Sequence, residues 1–248
     1  MDLTSGVFWT ALGSIILANI VLSGDNAVVI ALAARSLPPH QQTKAIFWGS
    51  AAAIVMRIVL TLIAVEMLKW PYLKAIGAVL LVYIGVTLLL EDDGEGEEGH
   101  EKTSSMLAAV RTILIADLVM SLDNVIAVAA AAGGSMTLLV LGLAISIPLV
   151  VFGATLLVTL MERYPVIITI GAALIGMVAG EMLVTDPVAL QWLNGTAGIV
   201  VEGGNPRLNG INLELVAGAI GAALVVIWGL WLAKRHAAAA AGTDSPNS

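Results

Sequence analysis

The sequence predicts an all-α polytopic membrane protein, with about seven transmembrane helices in two inverted three-helix repeats plus a C-terminal helix. Three observations carry this expectation. Of 248 residues, 59% are hydrophobic and only 12% charged, with a mean hydropathy of +0.98, a profile of lipid-embedded chains. Seven apolar runs reach the length of about 20 residues that a bilayer demands. A short polar word, Ser23-Gly24-Asp25-Asn26, recurs as Ser121-Leu122-Asp123-Asn124 inside a second such run.

The runs cover residues 6–34, 45–68, 71–90, 106–132, 136–161, 164–184 and 213–233. Lipid satisfies no backbone polar group, so spanning segments are helices or closed barrels, and these runs are too long and uniform for barrel strands. Pro71 and Pro165 stand where a first helical turn tolerates proline. Pro148 lies mid-span and is expected to kink the fifth helix. The N-terminus lacks the basic region and small-residue cleavage site of a signal peptide, so the first helix is expected to stay. Residues 237–248, small, polar or alanine-rich, read as a disordered tail.

Seven acidic residues fall within 91–101, so the net charge of −7 belongs largely to one loop, residues 91–103, a solvated cytoplasmic linker between the halves. A cation-collecting role for that loop is the sharper alternative. No clustered basic surface suggests nucleic acid. Cysteine is absent, which excludes disulfides and thiolate chemistry, and no Walker A pattern supports ATP hydrolysis. With the N-terminus outside, the inner loops and tail hold Arg35, Lys44, Lys102, Arg163, Lys234 and Arg235, with Arg111 near the inner face. The outer loops hold Lys69, Lys74 and Arg207. The positive-inside rule therefore expects a plasma (inner) membrane protein with a cytoplasmic C-terminus. Trp9, Trp48, Trp70, Trp228 and Trp231 lie near span ends as an aromatic belt.

Aligning Asp25 with Asp123 also pairs Ser23 with Ser121, Asn26 with Asn124 and Asn19 with Asp117, and Ile76-Gly77-Ala78 echoes Ile170-Gly171-Ala172. Residues 6–90 thus match residues 106–184, and three spans per copy invert the second. That plan is common among secondary transporters, whose substrate sites lie where the repeats meet. The whole chain, 1–248, reads as a single transmembrane domain.

The polar residues inside the spans supply the chemistry. Asn19, Ser23 and Asn26 share one helical face, as do Asp117, Ser121 and Asn124, while Asp25 and Asp123 lie about 100° round. Carboxylate, amide oxygen, hydroxyl and backbone carbonyl form a hard ligand set suited to Mg²⁺, Ca²⁺ or Mn²⁺. The three aspartates need a divalent cation or protons to balance them in such a medium. On straight helices, Asp25 lies about 7 Å to the inner side of its span's centre and Asp123 about 6 Å to the outer side, with Asn19 and Asp117 near the midplane. A single shared ion needs a bent helix, for which Gly24 is placed; the alternative is a ladder of sites centred on Asp117. Arg57, mid-span, is either a structural counter-ion to one aspartate or a mobile counter-charge. Glu66 reads as interfacial, and Glu181 as interface or pathway.

The Leu22–Ala27 word L-S-G-D-N-A and the word S-L-D-N-V at 121–125, in two three-helix halves plus a seventh helix, resemble the TerC family, named for tellurium resistance and related to LysE-type exporters. The resemblance covers residues 6–184 and, more loosely, the last helix. It implies an integral membrane exporter of Mn²⁺, with Ca²⁺ as a further substrate, giving metal homeostasis and supplying metal to exported enzymes. Residue by residue it singles out Asp25, Asn26, Asp123 and Asn124, with Asp117 as an extra carboxylate. No appended soluble regulatory domain accompanies the membrane part.

The leading expectation is a proton- or potential-driven metal exporter with no enzymatic activity and no organic cofactor; its partners are the divalent ion and membrane lipid. A partner protein that docks on the secretion machinery through the acidic loop is an alternative. An intramembrane aspartyl protease would also use two membrane aspartates, but no G-x-G-D or P-A-L word is present. An amino-acid exporter would need a cation for the substrate carboxylate, and Arg57 alone offers one.

Overall fold

A computed structural model describes the chain except residues 1–5, 23, 68–69, 91–105, 132–134, 195, 197 and 244–248. The described residues are mostly helical: α1 (Gly6–Leu22), α2 (Gly24–Arg35), α3 (Pro39–Met67), α4 (Leu73–Leu90), α5 (Met106–Ala131), α6 (Met136–Arg163), α7 (Val166–Val184), α8 (Pro187–Asn194) and α9 (Leu213–Thr243). Between α8 and α9 run three short strands, β1 (Ile199–Glu202), β2 (Asn205–Leu208) and β3 (Ile211–Asn212). Five helical segments are long and apolar enough to cross a membrane: Pro39–Ile63, Leu73–Leu90, Met136–Arg163, Val166–Val184 and Leu213–His236. A shorter apolar stretch, Phe8–Leu17, lies in α1. The chain is thus a polytopic all-α membrane protein, with five of the seven expected spans supported by length and composition.

Helix ends depart from the apolar runs in instructive ways. Helix α3 starts at Pro39, six residues before its apolar run, because proline suits the first helical turn and the polar residues His40–Lys44 are good enough helix formers once tertiary contacts hold them. Pro71 falls outside α4, which begins at Leu73, and Pro165 caps α7 with φ −56°. Pro148 stands inside α6, which continues to Arg163. The tail expected to be disordered from Ala237 is instead helical through Thr243, since alanine has the highest helix propensity and α9 is already nucleated. The acidic linker lies outside the described residues.

The chain divides into two compact units, each discontinuous. One comprises Met1–Leu73 and Ser104–Tyr164, the other Lys74–Thr103 and Pro165–Ser248. Each half of the sequence gives its first two spans to the first unit and its third to the second.

In the first unit α3 packs along α5, and α6 packs against α1, α2 and α3. Its main apolar cluster joins Phe8, Leu12 and Ile15 to Ile54, Leu138 and Leu143. Leu37, Ala45 and Ala109 form a smaller one, and Leu60 with Val125 another. Ser135 caps α6 by accepting a hydrogen bond from the Leu138 amide at 3.4 Å.

In the second unit α7 and α9 cross so closely that a Cβ on Gly180 would meet the Ala217 carbonyl, and one on Gly221 the Gly176 carbonyl. Only glycine permits that approach. Val86, Leu89, Ala172 and Val225 pack α4 onto this pair. Buried Asp186 accepts from the Val188 amide at 2.9 Å and the Ala75 amide at 3.2 Å, tying the start of α8 to the first turn of α4. The strands form an antiparallel sheet in the order β1-β2-β3. Its two-residue turns are Gly203-Gly204 (φ +59°, +88°) and Asn209-Gly210 (φ +50°, +86°), where positive φ at both positions matches strand twist. Large apolar side chains such as Val59, Leu62, Phe152, Ile220 and Ile227 stay exposed, a liability in water and the expected surface in lipid.

Candidate membrane-embedded cation site

The site is built on α3 and α5 of the first unit. Arg57 is carried mid-helix by α3; Asp117 and Ser121 are one turn apart on α5 and therefore face α3 together. Arg57 Nη2 meets Asp117 Oδ1 at 2.5 Å, and Arg57 Nε donates to Ser121 Oγ at 3.0 Å. Ser121 Oγ in turn donates to Asp117 Oδ2 at 3.3 Å. All three residues are buried, at 3%, 5% and 0% exposure. A buried ion pair repays its desolvation only when further hydrogen bonds satisfy its remaining oxygens and protons, as Ser121 does here.

Helix α2 approaches from another side. Asp25 occupies its first turn, where the helix dipole favours a negative charge, and accepts from the Asn26 amide at 2.8 Å. Helix α2 packs against both α3 and α5. Asn26 is 97% buried by its 3% exposure, yet its side-chain oxygen and nitrogen have no hydrogen-bond partner among the described residues. Ser50 Oγ, on α3 two turns before Arg57, is in the same condition at 2% exposure. Each such group costs about 1–3 kcal/mol. Asn26, Ser50, Arg57 and Asp117 line one narrow cavity of about 20 Å³, closed on other sides by Ile30, Ile54 and Val150.

The structure therefore brings together Asp25, Asn26, Arg57, Asp117 and Ser121 of the residues singled out in sequence. Asn124 is half-buried further along α5. Ser23 lies outside the described residues, as do the side chains of Asn19, Glu66 and Asp123, so the ladder of three aspartates is described only at Asp25 and Asp117. Glu181 belongs to the second unit, on α7, with its carboxylate against Gly218 of α9. Arg57 is a direct counter-ion to one aspartate, Asp117, as one of its two readings expected, so that carboxylate is balanced without a bound cation or proton. Among the described residues no group of three or more His, Asp or Glu side chains is placed to hold a metal; the donor set mixes carboxylate, amide and hydroxyl oxygens. Ser50 escaped the sequence reading. The signal was its seven-residue spacing from Arg57, which places both on one face of α3.

Comparison with known proteins agrees with this architecture. The description "Integral membrane protein TerC family" matches residues 4–237. The chain is 45% identical over 169 residues to the uncharacterized membrane protein YjbE of Bacillus subtilis, covering 68% of this chain and 76% of that one. It is 28% identical over 188 residues to YceF of the same organism, covering 73% of each. Over 174 residues it is 29% identical to the UPF0053 inner membrane protein YgdQ of Escherichia coli, covering 63% of this chain and 73% of the relative. No solved structure matches the chain. With a family match over nearly its whole length and five apolar helices of spanning length, the chain belongs to the TerC family of integral, multi-pass membrane proteins.

Proposed function

We propose that this protein is a secondary transporter exporting divalent cations, with Mn²⁺ as the main substrate and Ca²⁺ next. The observation that carries the reading is the buried cluster of Asp117, Arg57, Ser121, Asn26 and Ser50 inside helices that face lipid. Ionisable groups at such depth are costly and by default functional. Hard oxygen donors favour Mn²⁺, Ca²⁺ or Mg²⁺ over soft ions, and the chain has no cysteine to offer a thiolate. In this reading Arg57 is the counter-charge that holds Asp117 between transport events and yields it to an arriving cation. Asp25, in the first turn of the neighbouring helix α2, is the second carboxylate of this reading. The matching way in which both sequence halves divide between the two units supports an inverted repeat and alternating access. Protons or the membrane potential supply the driving force, and the chain catalyses no covalent step. The positive-inside pattern supports a cytoplasmic C-terminus, and we propose the inner membrane as the location.

The test is resistance to manganese. Cells that depend on this protein are expected to lose protection against excess Mn²⁺ when it carries Asp25→Asn or Asp123→Asn, with membrane insertion unchanged. Full protection by both variants would remove these residues from the site.

A further inference from the structure

Ser50 differs from several other hydroxyl side chains of these helices. Thr61 donates to the Arg57 carbonyl at 2.7 Å, Ser146 to Gly142 at 2.8 Å, Thr155 to Val151 at 2.8 Å and Ser14 to Thr10 at 2.8 Å. Each uses the carbonyl one turn back, the default for a hydroxyl in an apolar helix. Ser50, equally helical and more deeply buried than Thr61, has the same option and does not take it; its Oγ has no partner among the described residues. Asn26, on a different helix, leaves both polar atoms unpartnered in the same way. The two share one cavity with the Arg57–Asp117 pair.

Two separate helices thus carry buried, unpartnered polar atoms on residues that line, together with Asp117, one cavity of about 20 Å³. That space admits one particle the size of a water molecule or smaller. A single dehydrated cation is within that size. We infer that Asn26 and Ser50 form the uncharged half of a cation-binding pocket completed by Asp117, and that the Ser50 hydroxyl sets its preference for hard cations. This assignment rests on the exporter reading above and deepens it. Arg57, lining the same cavity, is the competing positive charge.

The absence of cysteine makes a direct test available. Purified full-length protein in lipid nanodiscs is titrated with Mn²⁺ and, separately, Cd²⁺ by calorimetry, for wild type, Ser50→Ala and Ser50→Cys. A thiolate in place of a hydroxyl moves a site from hard toward soft ions. Ser50→Cys is expected to bind Mn²⁺ about tenfold more weakly and Cd²⁺ at least tenfold more tightly than wild type, and Cd²⁺ is expected to protect its thiol from alkylation. Ser50→Ala is expected to lose Mn²⁺ affinity without a lower melting temperature, since it removes an unpartnered group; a serine that served packing alone would lower the melting temperature and leave affinity alone. If wild type binds Mn²⁺ and both variants match it within twofold for both ions, the cavity holds water only and the pocket is overturned while the exporter reading stands. If wild type does not bind Mn²⁺ while Ser50→Cys gains Cd²⁺, Ser50 lies on a cation pocket, but its preference for hard cations is overturned and the exporter reading falls with it.

Discussion

Between α3 and α5, Arg57, Asp117 and Ser121 hold one another in a buried polar network; between α7 and α9, the chain meets backbone to backbone at Gly176, Gly180 and Gly221. Of the four helices, α3, α7 and α9 are long and apolar enough to cross a membrane, and both crossings join helices through buried surfaces. The glycine crossing does so by close van der Waals approach, which needs no charge at all. The polar crossing uses ions whose desolvation consumes most of their attraction, and apolar side chains of similar volume would pack as firmly. Under the proposed function, the α7–α9 crossing serves architecture and the α3–α5 crossing activity.

Breaking each crossing sharpens the contrast. The largest effect is expected from Asp117→Leu, which strands the Arg57 guanidinium in an apolar setting and costs about 3–5 kcal/mol. Adding Arg57→Met to it is expected to restore the melting temperature to near wild type in detergent while metal flux stays absent. Recovery of flux in the double variant would make the pair structural. Next comes Gly180→Val: its side chain collides with the Ala217 backbone, so overpacking of about 3 kcal/mol and a lower melting temperature are expected. Metal affinity of the surviving folded fraction should be unchanged, since Gly180 lies in the unit without the cation pocket. Smaller still is Asp186→Ala, which unties two backbone amides at the junction of α4 and α8 and is expected to cost about 1–2 kcal/mol, read by the same melting measurement.

How much of this was legible in the sequence follows the physics of each feature. Bilayer thickness fixes a minimum apolar length, so the long runs were plain from composition. Their ends were not, because an apolar run reports lipid contact and a helix can outlast it. Helix α3 begins among the polar residues His40–Lys44, and α9 continues through alanines beyond the bilayer-length segment. The two tight turns of the small sheet went unread, although Gly-Gly and Asn-Gly pairs favour such turns, because four-residue strands give a weak pattern beside the long apolar spans. At the site, the type of chemistry was readable because Asp25, Asn26 and Asp117 stand out inside apolar helices. The pairing was not: whether Arg57 answers Asp25, Asp117 or Asp123 depends on helix register across sixty residues of chain. Ser50 was invisible for a different reason, as a lone serine in an apolar helix ordinarily bonds to its own backbone.

The most direct test of the central claim is flux of radioactive Mn²⁺ into proteoliposomes holding wild-type protein, Asp117→Asn or the Asp117→Leu/Arg57→Met pair, at matched protein content. Uptake well above empty liposomes for wild type, inhibited by excess unlabelled Mn²⁺ and reduced to background in both variants, is the expected result. Flux in the paired variant equal to wild type would contradict the account, because the buried network between α3 and α5 would then be architecture alone.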